Sequence, residues 1–130
     1  MSAVELFSSM FRLRHDGTVA AEEFAMRPDL DGWTAVAMRA ETTADLKSAA
    51  NWMRHPDGDE VMCVLSGALR IYYRRGGTED ADGELRARIG AGEAFVVPSE
   101  AWHRVELEAP TEMVVVLRAE GTLVEQRHGH

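Results

Sequence analysis

The chain has 130 residues, 45% of them hydrophobic and 28% charged, which suits one globular domain and excludes wholesale disorder. Its formal net charge is -8, with no dense Lys/Arg run, which argues against nucleic acid or an anionic membrane as partner, since both are bound through basic patches. A single cysteine, Cys63, excludes an internal disulfide and any paired-Cys metal motif, and no apolar run or basic leader directs the chain to a membrane or out of the cell, so a cytoplasmic location is expected.

Ser2 to Glu5 has capping-box spacing, and Val4, Phe7 and Phe11 then share one helical face, which predicts a short helix near residues 3–10. Beyond it the pattern becomes β. Strand-length segments occur at residues 33–41, 51–55, 60–66, 69–75, 84–89, 94–97, 102–108 and 112–119. Pro56-Asp57-Gly58 and Ser66-Gly67 supply turn chemistry between them, and the polar residues 76–83 read as a mobile loop. Gly90-Ala91-Gly92 lacks the further Gly and the strand-to-helix context of a dinucleotide loop and reads as a turn. Short strands with frequent turns in a small chain predict an all-β fold, either a sandwich or a jelly-roll barrel.

Strand parity places the side chains. His103, Val105 and Leu107 share one face, which the apolar pair marks as interior, while Trp102, Arg104, Glu106 and Glu108 share the other. Glu60, Met62 and Val64 likewise share a face, and Met53 lines up with His55. An inward carboxylate in an apolar interior must be paired, protonated or bound to a metal. Two His and one Glu on one side of an ion leave coordination positions open, which suits non-haem iron or a similar divalent metal. The alternative is a hydrogen-bonded polar cluster without metal. Arg54 and Asp59, beside these residues, are expected in surface salt bridges, and His128-Gly129-His130 reads as a frayed tail.

The two segments that carry these groups resemble the motifs of the cupin family. The first motif has the general form G-x5-H-x-H-x(3,4)-E-x6-G, and His55, Glu60 and Gly67 fall on its second His, its Glu and its final Gly. The second reads G-x5-P-x-G-x2-H-x3-N, and Gly92, Pro98 and His103 fall on its first Gly, its Pro and its His. Met53 stands where the first His belongs, Glu100 replaces the second Gly, and Leu107 replaces the Asn. The resemblance implies a single cupin domain, an antiparallel β-barrel of the double-stranded β-helix or jelly-roll type. Residues 1–32 would be the N-terminal helix and extension, 33–119 the barrel and 120–130 a tail. It also implies His55, Glu60 and His103 as ligands of a divalent metal such as Fe, Mn, Zn or Ni.

Met53, Met62 and Val105 are then expected to line the pocket; a thioether at position 53 suits copper(I) far better than the harder divalent ions. Two functions follow. One is a metal-dependent cupin acting on a small organic molecule by oxygenase, isomerase or cyclase chemistry, and the other is a non-catalytic small-molecule-binding cupin without metal. Metal-free acid–base chemistry at His103 or Glu60 is a third. Val61, Cys63 and Leu65 lie on the face opposite the pocket, which the N-terminal segment or the second subunit of a homodimer must cover; the resemblance favours the dimer.

Overall fold

In the computed structural model, which describes residues 2–25, 27 and 30–128, the alternating segments become eleven strands in two antiparallel sheets. In chain order they are β1 (Ser9–Leu13), β2 (Val19–Glu23), β3 (Trp33–Ala40), β4 (Asn51–Arg54), β5 (Glu60–Ser66), β6 (Ala68–Tyr73), β7 (Glu84–Gly90), β8 (Ala94–Val97), β9 (His103–Leu107), β10 (Thr111–Leu117) and β11 (Leu123–Gln126). One sheet has the order β2-β1-β3-β10-β5-β8 and the other β11-β4-β9-β6-β7. The sheets face each other and keep open edges, so the jelly roll is not a hydrogen-bonded ring.

Period-two burial explains the arrangement. On β5, Glu60, Met62 and Val64 are buried while Val61 and Cys63 are only half-buried and Leu65 is exposed. On β10, Thr111, Met113, Val115 and Leu117 are buried in the same rhythm. These inward rows meet Leu69, Ile71 and Val105 of the facing sheet, and that layer is the core. Gly67 closes the β5–β6 hairpin with φ of 87°, and a Cβ there would lie 2.3 Å from the carbonyl oxygen of Pro110.

Three expectations change. The N-terminal helix reduces to one 3-10 turn, Leu6–Ser8, and the chain enters β1 at Ser9. Pairing of β1 with β3 (Met10 opposite Val36) and with β2 outweighs the helical spacing of Val4, Phe7 and Phe11, because ladder bonds from distant segments are available there. The tail is also structured in part. Residues 123–126 form β11 and pair with β4, Val124 opposite Met53; Gly129 and His130 lie outside the described residues. Finally, the polar loop 76–83 is tied down at its end, where Trp52 Nε1 donates to the Asp80 carbonyl at 3.1 Å and Arg127 Nε to the Ala81 carbonyl at 2.8 Å.

Candidate metal centre

The Pro56-Asp57-Gly58 turn carries the chain from β4 in one sheet to β5 in the other. His55 at the end of β4 and Glu60 at the start of β5 therefore meet across the interior. His103 opens β9, whose register sets it opposite Met53 of β4. His55, Glu60 and His103 are all buried, and their donor atoms lie within 4.8 Å of one another. Glu60 Oε1 is 3.0 Å from His103 Nε2 and 3.4 Å from His55 Nε2. The imidazole centroids are 5.4 Å apart.

The far side of each ring decides its protonation. His103 Nδ1 lies 3.1 Å from the carbonyl oxygen of Ala101, which only accepts, so Nδ1 carries a proton. His55 Nδ1 is 2.8 Å from Thr122 Oγ1, whose own hydroxyl donates to the Ala119 carbonyl at 2.6 Å. His55 Nδ1 must therefore donate as well. In the neutral rings both Nε2 atoms present lone pairs to a carboxylate oxygen. Glu60 Oε1 is buried and receives no aligned hydrogen bond, despite the two close nitrogens. Three acceptors facing one another in a buried site call for a cation among them.

Electrostatics point the same way. Burial alone would raise the Glu60 carboxyl, but His103 and His55 outweigh it and hold its pKa at about 2. Burial works to lower the His103 pKa, and Glu60 overcomes it, so the net direction is upward. Without metal, Glu60 favours a proton on His103 in its place. A divalent ion bound to the same three atoms would take its place. The donor set of two imidazoles and one carboxylate, each imidazole oriented by a partner on its other nitrogen, fits such an ion.

The cluster opens into a cavity of about 380 Å³ between the sheets. Met53, Met62 and Val105 line it together with Val36, Met38, Met113, Val115 and Leu117. Arg54 and Asp59 do not form the expected surface ion pairs among the described residues. Arg54 Nε donates to the Ser99 carbonyl at 3.2 Å and Asp59 Oδ1 accepts from Ser99 N at 2.9 Å, so both hold the loop that leads to His103. Thr122 orients His55 from the segment assigned to the tail, and no local motif marks it.

The family model of the cupin domain matches residues 44–117, more than half of the chain. The chain belongs to the cupin family. Among solved structures it is similar to a cupin-2 domain protein from Shewanella frigidimarina (19% identity, TM-score 0.50, covering 75% of this chain and 82% of that one). It is also similar to a protein with a double-stranded β-helix domain from Klebsiella pneumoniae (17% identity, TM-score 0.52, 78% and 79% covered). A third similar structure is a mutant of Bacillus subtilis oxalate decarboxylase (19% identity, TM-score 0.50), of which the cupin described here covers 24% with 74% of its own length. At these identities the likeness is one of fold. No curated protein matches the sequence. Among the described residues of this cupin, no helix is long and apolar enough to cross a membrane.

Proposed function

We propose that this cupin binds a divalent metal through His55, Glu60 and His103 and acts on a small organic molecule in the adjoining cavity, with chemistry of the oxygenase, isomerase or cyclase kind. The observation that carries the reading is Glu60 Oε1, buried without an aligned donor between two imidazoles whose other nitrogens are already committed. When bound, the ion would supply Lewis acidity or a redox centre at the inner end of the cavity. The chain does the rest. Thr122 and the Ala101 carbonyl orient the rings, and the apolar walls exclude water from the bound molecule. The 3.0 Å contact between His103 and Glu60 also favours a second reading, a metal-free binding pocket in which a proton on His103 replaces the ion. Elemental analysis of tag-free protein separates the two. Stoichiometric metal that is lost in His103→Ala supports the first, and metal-free preparations after loading support the second.

Assembly as a homodimer belongs to the same proposal. The N-terminal segment lies at the far edge of its sheet as β1 and β2, so it does not cover Leu65 (51% exposed) or Val96 (53%). With Val61 paired to Val96 and Val116 on that outer face, a second copy is the cover we propose. Light scattering should report a mass of two chains, and a strict monomer at high concentration would contradict it.

A further inference from the structure

The metal reading leaves the class of substrate open, and the cavity narrows it. Its volume of about 380 Å³ is equivalent to roughly a dozen waters at liquid density, near the lower end of the range for small-molecule sites. Of the chain's seven methionines, Met38, Met53, Met62 and Met113 line this one cavity, with Val105 and Val115 among them. Unbranched thioethers make an apolar wall that reshapes around its contents.

The polar groups of the wall are already engaged. Ser48 Oγ accepts from Val105 N at 3.3 Å, and Thr122 Oγ1 is bound to His55 and the Ala119 carbonyl. Arg27, Asp45 and Lys47 carry both signs of charge, and all three are exposed, so they form the mouth and not the interior. Among the described residues, and apart from the two imidazoles, the only ionisable group at the inner end is Glu60, itself an anion. A compact dianion such as oxalate, which chelates through one oxygen of each carboxylate, would turn its two outer oxygens toward methionine and valine, with no donor at the inner end among the described residues to meet them.

Resting on the proposed metal centre, we infer that the ligand is amphipathic: one chelating oxygen head at His55, Glu60 and His103, and a single apolar body along the methionine wall. Recognition of the body is by burial, so affinity rises with its length until the cavity is full.

The test uses zinc-loaded protein and calorimetric titration with a homologous series of probes, acetohydroxamate, butyrohydroxamate and octanohydroxamate, with oxalate beside them. Octanohydroxamate should bind at least about thirtyfold more tightly than acetohydroxamate, since each fully buried methylene is worth roughly fourfold and burial of about half of the added ones gives that factor. Oxalate should bind no better than acetohydroxamate. Met38→Glu, at a half-buried wall position, should erase the chain-length gain, while Met38→Leu retains it. Equal affinity across the series in protein that holds zinc would overturn the amphipathic ligand and leave the metal reading intact. If zinc is not taken up at all, the metal reading fails instead. The body is then tested on the metal-free protein with n-octanol against n-butanol, where no preference for the longer chain would overturn this inference too.

Discussion

On β4 and β9 successive residues point to opposite faces of one sheet, and the two faces bury their polar groups in opposite ways. On the outer face Arg104 is buried, yet its guanidinium donates to the Asp82 carbonyl at 2.6 and 3.0 Å, pairs with Glu106 and lies 4.0 Å from the Tyr72 ring centroid. Arg127 beside it donates to the carbonyls of Ala81 and Ala49. On the inner face, one residue away, His103 meets His55 and Glu60 with acceptors in excess. A buried charge with a full set of partners is a fastening, here for the loop over Trp52. A buried carboxylate short of donors is, on the proposed reading, the place of a cation.

Substitutions on each face should therefore separate stability from binding. The largest effect is expected from Glu60→Gln, which keeps the shape, removes the anion and offers an amide N–H to a bare Nε2. Metal uptake should be lost while the metal-free protein still folds cooperatively, as read by urea unfolding. Arg104→Ala should do the reverse. It strips the Asp82 carbonyl of both its Arg104 donors and leaves Glu106 to Arg70 and Tyr72, so a loss of about 2 kcal/mol is expected, with metal stoichiometry unchanged. Loss of metal uptake in Arg104→Ala would show that the faces are not separable.

Met53→His sharpens the inner face. Position 53 lies opposite His103 and lines the cavity, so a further imidazole there should strengthen binding of zinc, iron or manganese. A tenfold gain in affinity would appear as about 1.4 kcal/mol of extra stability in excess metal, removable by a chelator. An unchanged metal response would mean that side chain 53 does not reach the cluster.

The dependence on pH is gentler. The folded His103 pKa lies above its ordinary 6.5, so its pairing stabilises the metal-free fold below 6.5 and that contribution is lost as pH rises through the higher folded value. Glu60, lowered from 4.5 to about 2, contributes above 4.5 and loses its contribution as pH falls through about 2. Metal must displace the His103 proton, so affinity should decline by roughly tenfold per unit as pH drops below that raised value. Titrations at constant ionic strength would check this, and affinity independent of pH between 6 and 8 would contradict it.

Much of this was readable from alternation alone. Alternation and turn residues delimit 60–66 and 94–97 as strands, and these are β5 and β8 with those same bounds. Alternation also sets His103 and Val105 on one face and Glu60 with Met62 on another, so the two walls of the site follow from the chain. What was hidden depends on distant partners. β11 is mostly exposed and is a strand only because it pairs with β4. Arg104 reads as a solvent-facing residue by parity, and its burial comes from the 80–83 segment folding back over Trp52, where Gly83 at φ of 78° allows the close approach. Thr122 belongs to the site through its bond to His55, across 67 residues of sequence.

The most direct measurement is anomalous diffraction from crystals of tag-free protein loaded with zinc, recorded on both sides of the metal edge. The account predicts one strong peak among His55 Nε2, His103 Nε2 and Glu60 Oε1, absent in crystals of Glu60→Gln. A peak confined to other residues, or no peak at this cluster in fully loaded protein, would contradict it.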